Sequence, residues 1–234
     1  MTSHTLVLLP GLLCDAALWA PQAEALRGEA DLFIPDLARD GSMEAMARRV
    51  LDEVPFDRFA LAGLSMGGYV ALEIMRQAPQ RVRRLALLDT RARPDSPDES
   101  ERRRTLLRIA QGAKGLAPVN KRMLPLLVHA SRLSDQALVN VIEEMAQRIG
   151  IDGYLRQQEA IMSRADFRPA LAAIACPTLI LCGRQDAITP LSFHEEMAAA
   201  IKGAQLAVLE DCGHLSTLEK PAQVNAALRA WLAW

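Results

Sequence analysis

The feature that most constrains this chain is the run Gly63-Leu64-Ser65-Met66-Gly67-Gly68. It joins a strand-like stretch, Phe59-Ala60-Leu61-Ala62, to a helix-like stretch from Tyr69 to Ala78. A serine set in so short a strand-to-helix connection takes a strained backbone, and only glycine fits on either side of it. The helix that follows begins with unbonded N–H groups and the positive end of its dipole, which favour negative charge on a nearby oxygen. A chain carrying such a turn is a layered α/β protein whose chemistry sits at the carboxyl ends of its strands.

The rest of the chain has the pattern this requires. Thr5 to Leu9 reads as a strand, and Leu32 to Ile34 as another, stopped by Pro35-Asp36. Ser42 is placed to cap a helix from Met43 to about Val54, which Pro55 ends. Further strands are expected at Arg84 to Leu88, Thr178 to Cys182 and Gln205 to Leu209. A last helix runs from Pro221 to Leu232, with Val224, Leu228, Trp231 and Leu232 on one stripe. Continuous apolar strands alternating with helices predict a three-layer α/β/α sandwich of about six mainly parallel strands. Pro10-Gly11, Ser65, Asp89, Asp186 and His214 all follow strand ends and should gather on one edge.

The stretch from Arg93 to Ile174 breaks the alternation. It holds no convincing strand, and opens with the capping box Ser96-Pro97-Asp98-Glu99. Helical patterns follow at Pro97–Gln111, Val119–Val128, Asp135–Ile149 and Gly153–Arg164. The stretch is far longer than an ordinary α/β connection. The expected organisation is therefore a core from 1–92 and 175–234, with an inserted all-helical cap at 93–174.

Composition excludes several classes. The 234 residues, half of them hydrophobic, suffice for one large core. A net charge of -1 gives no footprint for nucleic acid or an acidic membrane. Leu6 to Cys14 looks superficially like a lipoprotein leader, but it lacks a basic flank and has Leu13 where a small residue is needed. It is also too short to span a bilayer. The four scattered cysteines form no C-x-x-C pair, which suits a reduced, cytoplasmic protein. No phosphate-binding glycine loop and no cluster with metal-ligand spacing is present, so no cofactor and no metal is expected.

A serine hydroxyl is a poor nucleophile until a base takes its proton, and the base near neutral pH is an imidazole held by a carboxylate. The chain has four histidines. His4 lies in the N-terminal tail, His129 in the cap, and His194 in a helix-like stretch read as solvent-facing. His214 follows Gly213 on a tight loop after the last strand. Two carboxylates can hold it. Asp186, in Gly183-Arg184-Gln185-Asp186, sits on a short polar turn aimed at that loop. Asp89, after the preceding strand, is the rival, and its alternative role is to bond loop N–H groups. An oxyanion needs two N–H donors. Met66 supplies one, and Leu12 the other, with Leu13 as the alternative.

These pieces together resemble the α/β-hydrolase superfamily, and most of all its small, helically capped bacterial esterases and related meta-cleavage, enol-lactone and biotin-pathway hydrolases. The resemblance rests on Leu8-Leu9-Pro10-Gly11 with Trp19, the segment Asp36 to Ser42, Gly63 to Gly68, Gly183 to Asp186, and Gly213-His214 with Glu219-Lys220-Pro221. These span nearly the whole chain in the family's order of serine, acid, histidine. The resemblance implies a triad of Ser65, Asp186 and His214 with Leu12 and Met66 as oxyanion donors. Family members usually carry His-Gly in the first loop, whereas this chain has Pro10-Gly11. The N-terminal hairpin of the family is expected to be absent. Ser65 argues against the haloalkane dehalogenases, which use a carboxylate nucleophile.

The implied function is hydrolysis of short or medium acyl or aryl carboxylic esters through an acyl-enzyme on Ser65. The same triad acting on a C–C bond, enol-lactone or thioester, or in acyl transfer, is the alternative, and a non-catalytic receptor is a third. The expected partner is a small ester-like molecule, with no nucleic acid and no membrane, bound by a monomer or homodimer. Candidate lining residues of an apolar pocket are Trp19, Met66, Leu126, Met145, Tyr154 and Met162, while His129 and the cap arginines could meet a polar or anionic group.

Overall fold

A computed structural model describes residues 4–234, so the first three residues of the expected core segment 1–92 lie outside the described residues. Among the described residues six strands, all parallel, form one sheet in the order β2-β1-β3-β4-β5-β6. They are β1 (His4–Leu9), β2 (Ala30–Phe33), β3 (Phe59–Leu64), β4 (Val82–Leu88), β5 (Thr178–Gly183) and β6 (Gln205–Leu209). His4 therefore opens β1 and is not part of a free tail. Parallel pairing demands a crossover for each strand, and the crossovers supply the two outer layers.

Strand alternation decides which layer each side chain meets. Val7, Leu9, Leu61, Leu85, Leu87 and Ile180 face one way and pack with side chains of α2 (Met43–Glu53), α3 (Met66–Gln77) and α7 (Leu191–Ala200). Leu6, Leu8, Ala62, Leu64, Leu88 and Leu181 face the other way. They pack with Trp19, just before α1 (Ala20–Ala25), and with Val224, Leu228 and Trp231 of α9 (Pro221–Leu232), which follows the short α8 (Ser216–Glu219). Each fully buried leucine contributes about 1.5–3 kcal/mol. The stripe read from the sequence for the last helix is the buried one.

Local signals end these elements where the sequence places them. Ser42 caps α2 by accepting from the Ala45 N–H at 3.1 Å. Ser96 and Glu99 form the full capping box of α4 (Pro97–Ala113), with bonds of 3.2 and 2.7 Å. Between β4 and β5 the described residues are helical or irregular throughout. After α4 come α5 (Ala117–Leu127) and the long α6 (Gln136–Ser163). The sequence predicts two helices across α6, ending at Ile149 and restarting at Gly153. The structure breaks the run at Gly150, whose φ of 68° is open to glycine and strained for other residues. No helix among the described residues is long and apolar enough to cross a membrane.

Candidate active site

Register brings the site together. Leu64 pairs with Leu88, and Gly183 with Leu209, so β3, β4, β5 and β6 end at one edge. Ser65 follows β3 with φ 55° and ψ −115°, a strained conformation for a residue with a side chain. The turn closes only because its flanks lack side chains. A Cβ on Gly67 would lie 2.1 Å from the Leu9 carbonyl oxygen, and one on Gly63 would lie 2.3 Å from that of Gly67.

His214 Nε2 lies 2.8 Å from Ser65 Oγ, and its Nδ1 lies 2.8 Å from Asp186 Oδ2. The imidazole and the carboxylate side chains are 3% and 0% exposed, so the pair interacts away from bulk water. Burial pushes the His214 pKa down, but the charge of Asp186 and its hydrogen bond outweigh this and raise it above 6.5. Burial likewise raises Asp186, and the charge and hydrogen bond of His214, with bonds from Thr189, reverse the effect and leave it lowered. The carboxylate thus accepts and Nδ1 donates, which leaves Nε2 as an acceptor for the Ser65 hydroxyl.

Asp186 is held by its own turn. Its Oδ1 accepts from the N–H groups of Ile188 at 2.8 Å and Thr189 at 2.9 Å, and its Oδ2 accepts from Thr189 Oγ1 at 2.6 Å. Sequence reading missed Thr189, although an aspartate with threonine three residues on is a turn signal of the kind it could have used. Asp89 takes the other role considered for it. It accepts from Gly183 N–H at 3.0 Å and from the N–H and hydroxyl of Ser216, and makes no hydrogen bond to His214. Burial, then the charge of Asp186, pushes its pKa up to about 8.

The loop after β1 approaches the serine closely, since a Cβ on Gly11 would sit 3.4 Å from Ser65 Cβ. The Leu13 N–H donates to Gln157 Oε1 at 3.0 Å and is not free. Among the described residues, the N–H groups of Leu12 and Met66 donate to no protein group and remain available. Gln157 gave no sequence signal, because its partner is 144 residues away.

The His214 loop is fastened to the helical segment. The Leu127 carbonyl accepts from both His214 and Leu215 N–H. Glu219, buried, accepts from Gly213 N–H at 2.9 Å and His129 N–H at 2.7 Å. His194 is not solvent-facing as the helix pattern suggested. It is fully buried and accepts from Thr90 N–H at 3.0 Å, and burial lowers its pKa to about 4.

A cavity of about 430 Å³ opens over Ser65 and His214, between the strand-end loops and α4, α5 and α6. Leu126 and Tyr154 line it, with Leu106, Met123 and Ile142. Trp19 and Met145 do not. Both pack fully buried in the core between the sheet and its covering helices, where large apolar surface is removed from water most completely. The Met66 side chain enters the opposite core, and Met162 lies outside the cavity wall. The wall is also less apolar than expected, since Arg91, Glu99, Arg102, Arg103, Asn120 and Gln158 contribute to it.

Comparison with known proteins gives the family and fold. The model of the alpha/beta hydrolase family matches residues 6–227. An esterase from Thermogutta terrifontis, solved with malate bound, superposes with a TM-score of 0.90 at 34% identity, covering 99% of this chain and 90% of that one. The enol-lactonase from Burkholderia xenovorans LB400 superposes with a TM-score of 0.90 at 26% identity, covering 100% of this chain and 93% of that one. A pimeloyl–acyl-carrier-protein methyl ester esterase from Nitrosomonas europaea is 29% identical over 93% of this chain and 91% of its own length.

Proposed function

The chain belongs to the alpha/beta hydrolase family and is a hydrolase, and from that premise we propose that it cleaves carboxylic esters of short or medium acyl or aryl type with Ser65 as nucleophile. The observation that carries the reading is the unbroken hydrogen-bond chain from Ser65 through His214 to Asp186 at the floor of the cavity. In this mechanism His214 Nε2 takes the Ser65 proton as Oγ attacks the ester carbonyl. The oxygen that becomes negative is met by the N–H groups of Leu12 and Met66, the latter at the start of α3, where the helix dipole adds to the attraction. His214 then returns the proton to the leaving alcohol, and an acyl group remains on Ser65. Water, deprotonated by the same nitrogen, then attacks the acyl carbonyl, and as the acyl–Oγ bond breaks His214 returns that proton to Ser65 and the acid is released. Asp186 keeps the imidazole in the tautomer this needs and stabilises its charged form.

The helical segment 93–174 acts in this reading as a cap that shapes the substrate cavity and holds the His214 loop. A volume of about 430 Å³ falls in the range of small-molecule sites. The resemblance to an enol-lactonase keeps one second reading open, the same triad opening a cyclic enol ester.

The test compares wild type with Ser65→Ala on a p-nitrophenyl acyl series and an enol-lactone, alongside labelling by a fluorophosphonate. Labelling and turnover confined to wild type is the expected result. Undiminished turnover in Ser65→Ala would overturn the proposal, and turnover of the lactone alone would favour the second reading.

A further inference from the structure

The side of the cavity lined by α4, α5 and α6 is mostly apolar, but it carries several hydrogen-bond donors beside the one carboxylate of Glu99. Arg103 Nη1 donates to Gln158 Oε1 at 3.1 Å, and Gln158 Nε2 donates to Tyr154 Oη at 2.8 Å. With its oxygen already accepting, the Tyr154 hydroxyl has its own proton left to give. Gln158 and Tyr154 are both 1% exposed, so this chain of donors lies out of bulk water, where each bond polarises the next. Burial raises the Tyr154 pKa, so the group stays a donor at neutral pH. Asn120 lines the same wall at 8% exposure, and among the described residues its side chain makes no hydrogen bond. Arg91 Nε is buried without a partner.

The charge on and behind this wall is unbalanced. Arg91 and Arg103, which line the cavity, and Arg164 behind them share two carboxylates, Asp95 and Glu99, of which only Glu99 reaches the cavity. Burial works against ionisation of both, but their arginine partners hold their pKa values below the usual carboxylate range. Arg102 reaches the cavity from α4 and, among the described residues, has no ion pair or hydrogen bond. Arg102 is exposed at the cavity mouth, whereas Tyr154 and Asn120 are buried in its wall. A surplus of positive charge lining a cavity favours an anion, and a guanidinium with neighbouring N–H and O–H donors suits a carboxylate.

We infer that Arg102, Tyr154 and Asn120 form a receptor for a carboxylate, so that the preferred substrate is an ester that also carries a free carboxylate remote from the scissile carbonyl. The inference deepens the serine-hydrolase reading and rests on it for turnover, though not for binding. Arg102 is a specificity-determining residue here, and takes no part in the bond-breaking steps.

The experiment compares monomethyl adipate with dimethyl adipate as substrates for wild type, Arg102→Met and Tyr154→Phe. Wild type is expected to favour the monoester in kcat/KM, and Arg102→Met to lower the monoester-to-diester ratio by about tenfold, the effect of one charge-assisted contact. Equal or better turnover of the diester by wild type, or a fall in both substrates together in Arg102→Met, would overturn the inference. Calorimetric titration of Ser65→Ala with adipate, and with hexanediol as the neutral counterpart, gives a readout that needs no chemistry. Adipate binding that is lost with Arg102→Met supports the receptor even if neither ester is cleaved, an outcome that would count against the serine reading alone. Absence of adipate binding would refute the receptor while leaving that reading intact.

Discussion

Replacing Asp186 by asparagine separates the structural work of this side chain from its work on the imidazole. Two backbone N–H groups, of part-buried Ile188 and buried Thr189, converge on Oδ1, so the amide oxygen of the new side chain must occupy that position. The reverse orientation would set an NH2 against two donors, at about 1–3 kcal/mol for each N–H left unpaired. The amide nitrogen therefore replaces Oδ2 and points at His214 Nδ1 and Thr189 Oγ1, which lie 2.8 and 2.6 Å from Oδ2 in the wild type. A hydroxyl can rotate to accept. The imidazole can accept only by moving its proton to Nε2, where it faces Ser65 and can no longer take the serine proton. The expected result is a fall in kcat of roughly 10³–10⁴. The accompanying loss of stability should be only about 1–3 kcal/mol, because the turn keeps its oxygen. Initial rates on p-nitrophenyl butyrate, the rate of fluorophosphonate labelling and a thermal melt measure the three quantities. A variant that kept its turnover while folding normally would refute the reasoning, and collapse of turnover in Asp89→Asn instead would reassign the acid.

The pH dependence has opposite signs for activity and for stability. Hydrolysis needs Nε2 of His214 unprotonated, and the raised pKa places the acid limb of kcat/KM above 6.5, so a limb below that value in a pH–rate profile would contradict the site's electrostatics. Protonated His214 stabilises the folded state below 6.5, and that contribution is lost as pH rises through its folded pKa. Asp89 acts in the same direction, since the folded chain keeps to about 8 a proton that the unfolded chain releases near 3.8, and melts across that window should show stability falling as pH rises. Gly67→Ala puts a Cβ 2.1 Å from the Leu9 carbonyl oxygen and 2.8 Å from that of Pro10, both backbone, so it should lower stability by about 1–3 kcal/mol and abolish turnover by displacing the first loop from Ser65. Gly112→Ala on α4, with nothing within 4 Å of the added carbon, should be neutral or stabilising in the same melts.

Much of the fold and its chemistry could be read from short stretches of residues, because the physics there is local. Alternating apolar strands and helices, the glycines around Ser65, the Ser42 and Ser96 caps and the helical run between β4 and β5 all depend on neighbours a few positions apart. The Asp186 and His214 loops were legible for the same reason, as polar turns following apolar strands. Tertiary structure alone decided what those turns meet. Sequence favoured Asp186 with Asp89 as its rival, and in the fold the bonds from Gly183 and Ser216 occupy Asp89 while His214 reaches Asp186. Sequence put Leu12 ahead of Leu13 as an oxyanion donor, and Gln157, on a distant helix, takes the N–H of Leu13. The solvent face expected for His194 closed because α7 packs onto the sheet beside Thr90. Trp19 and Met145 were read as pocket residues and belong to the core, whereas Arg102 and Asn120 belong to the cavity wall. Spacing along a chain specifies which face of a helix is apolar. It does not specify what the helix covers, and in this protein the packing of α4, α5 and α6 over the strand ends makes that choice.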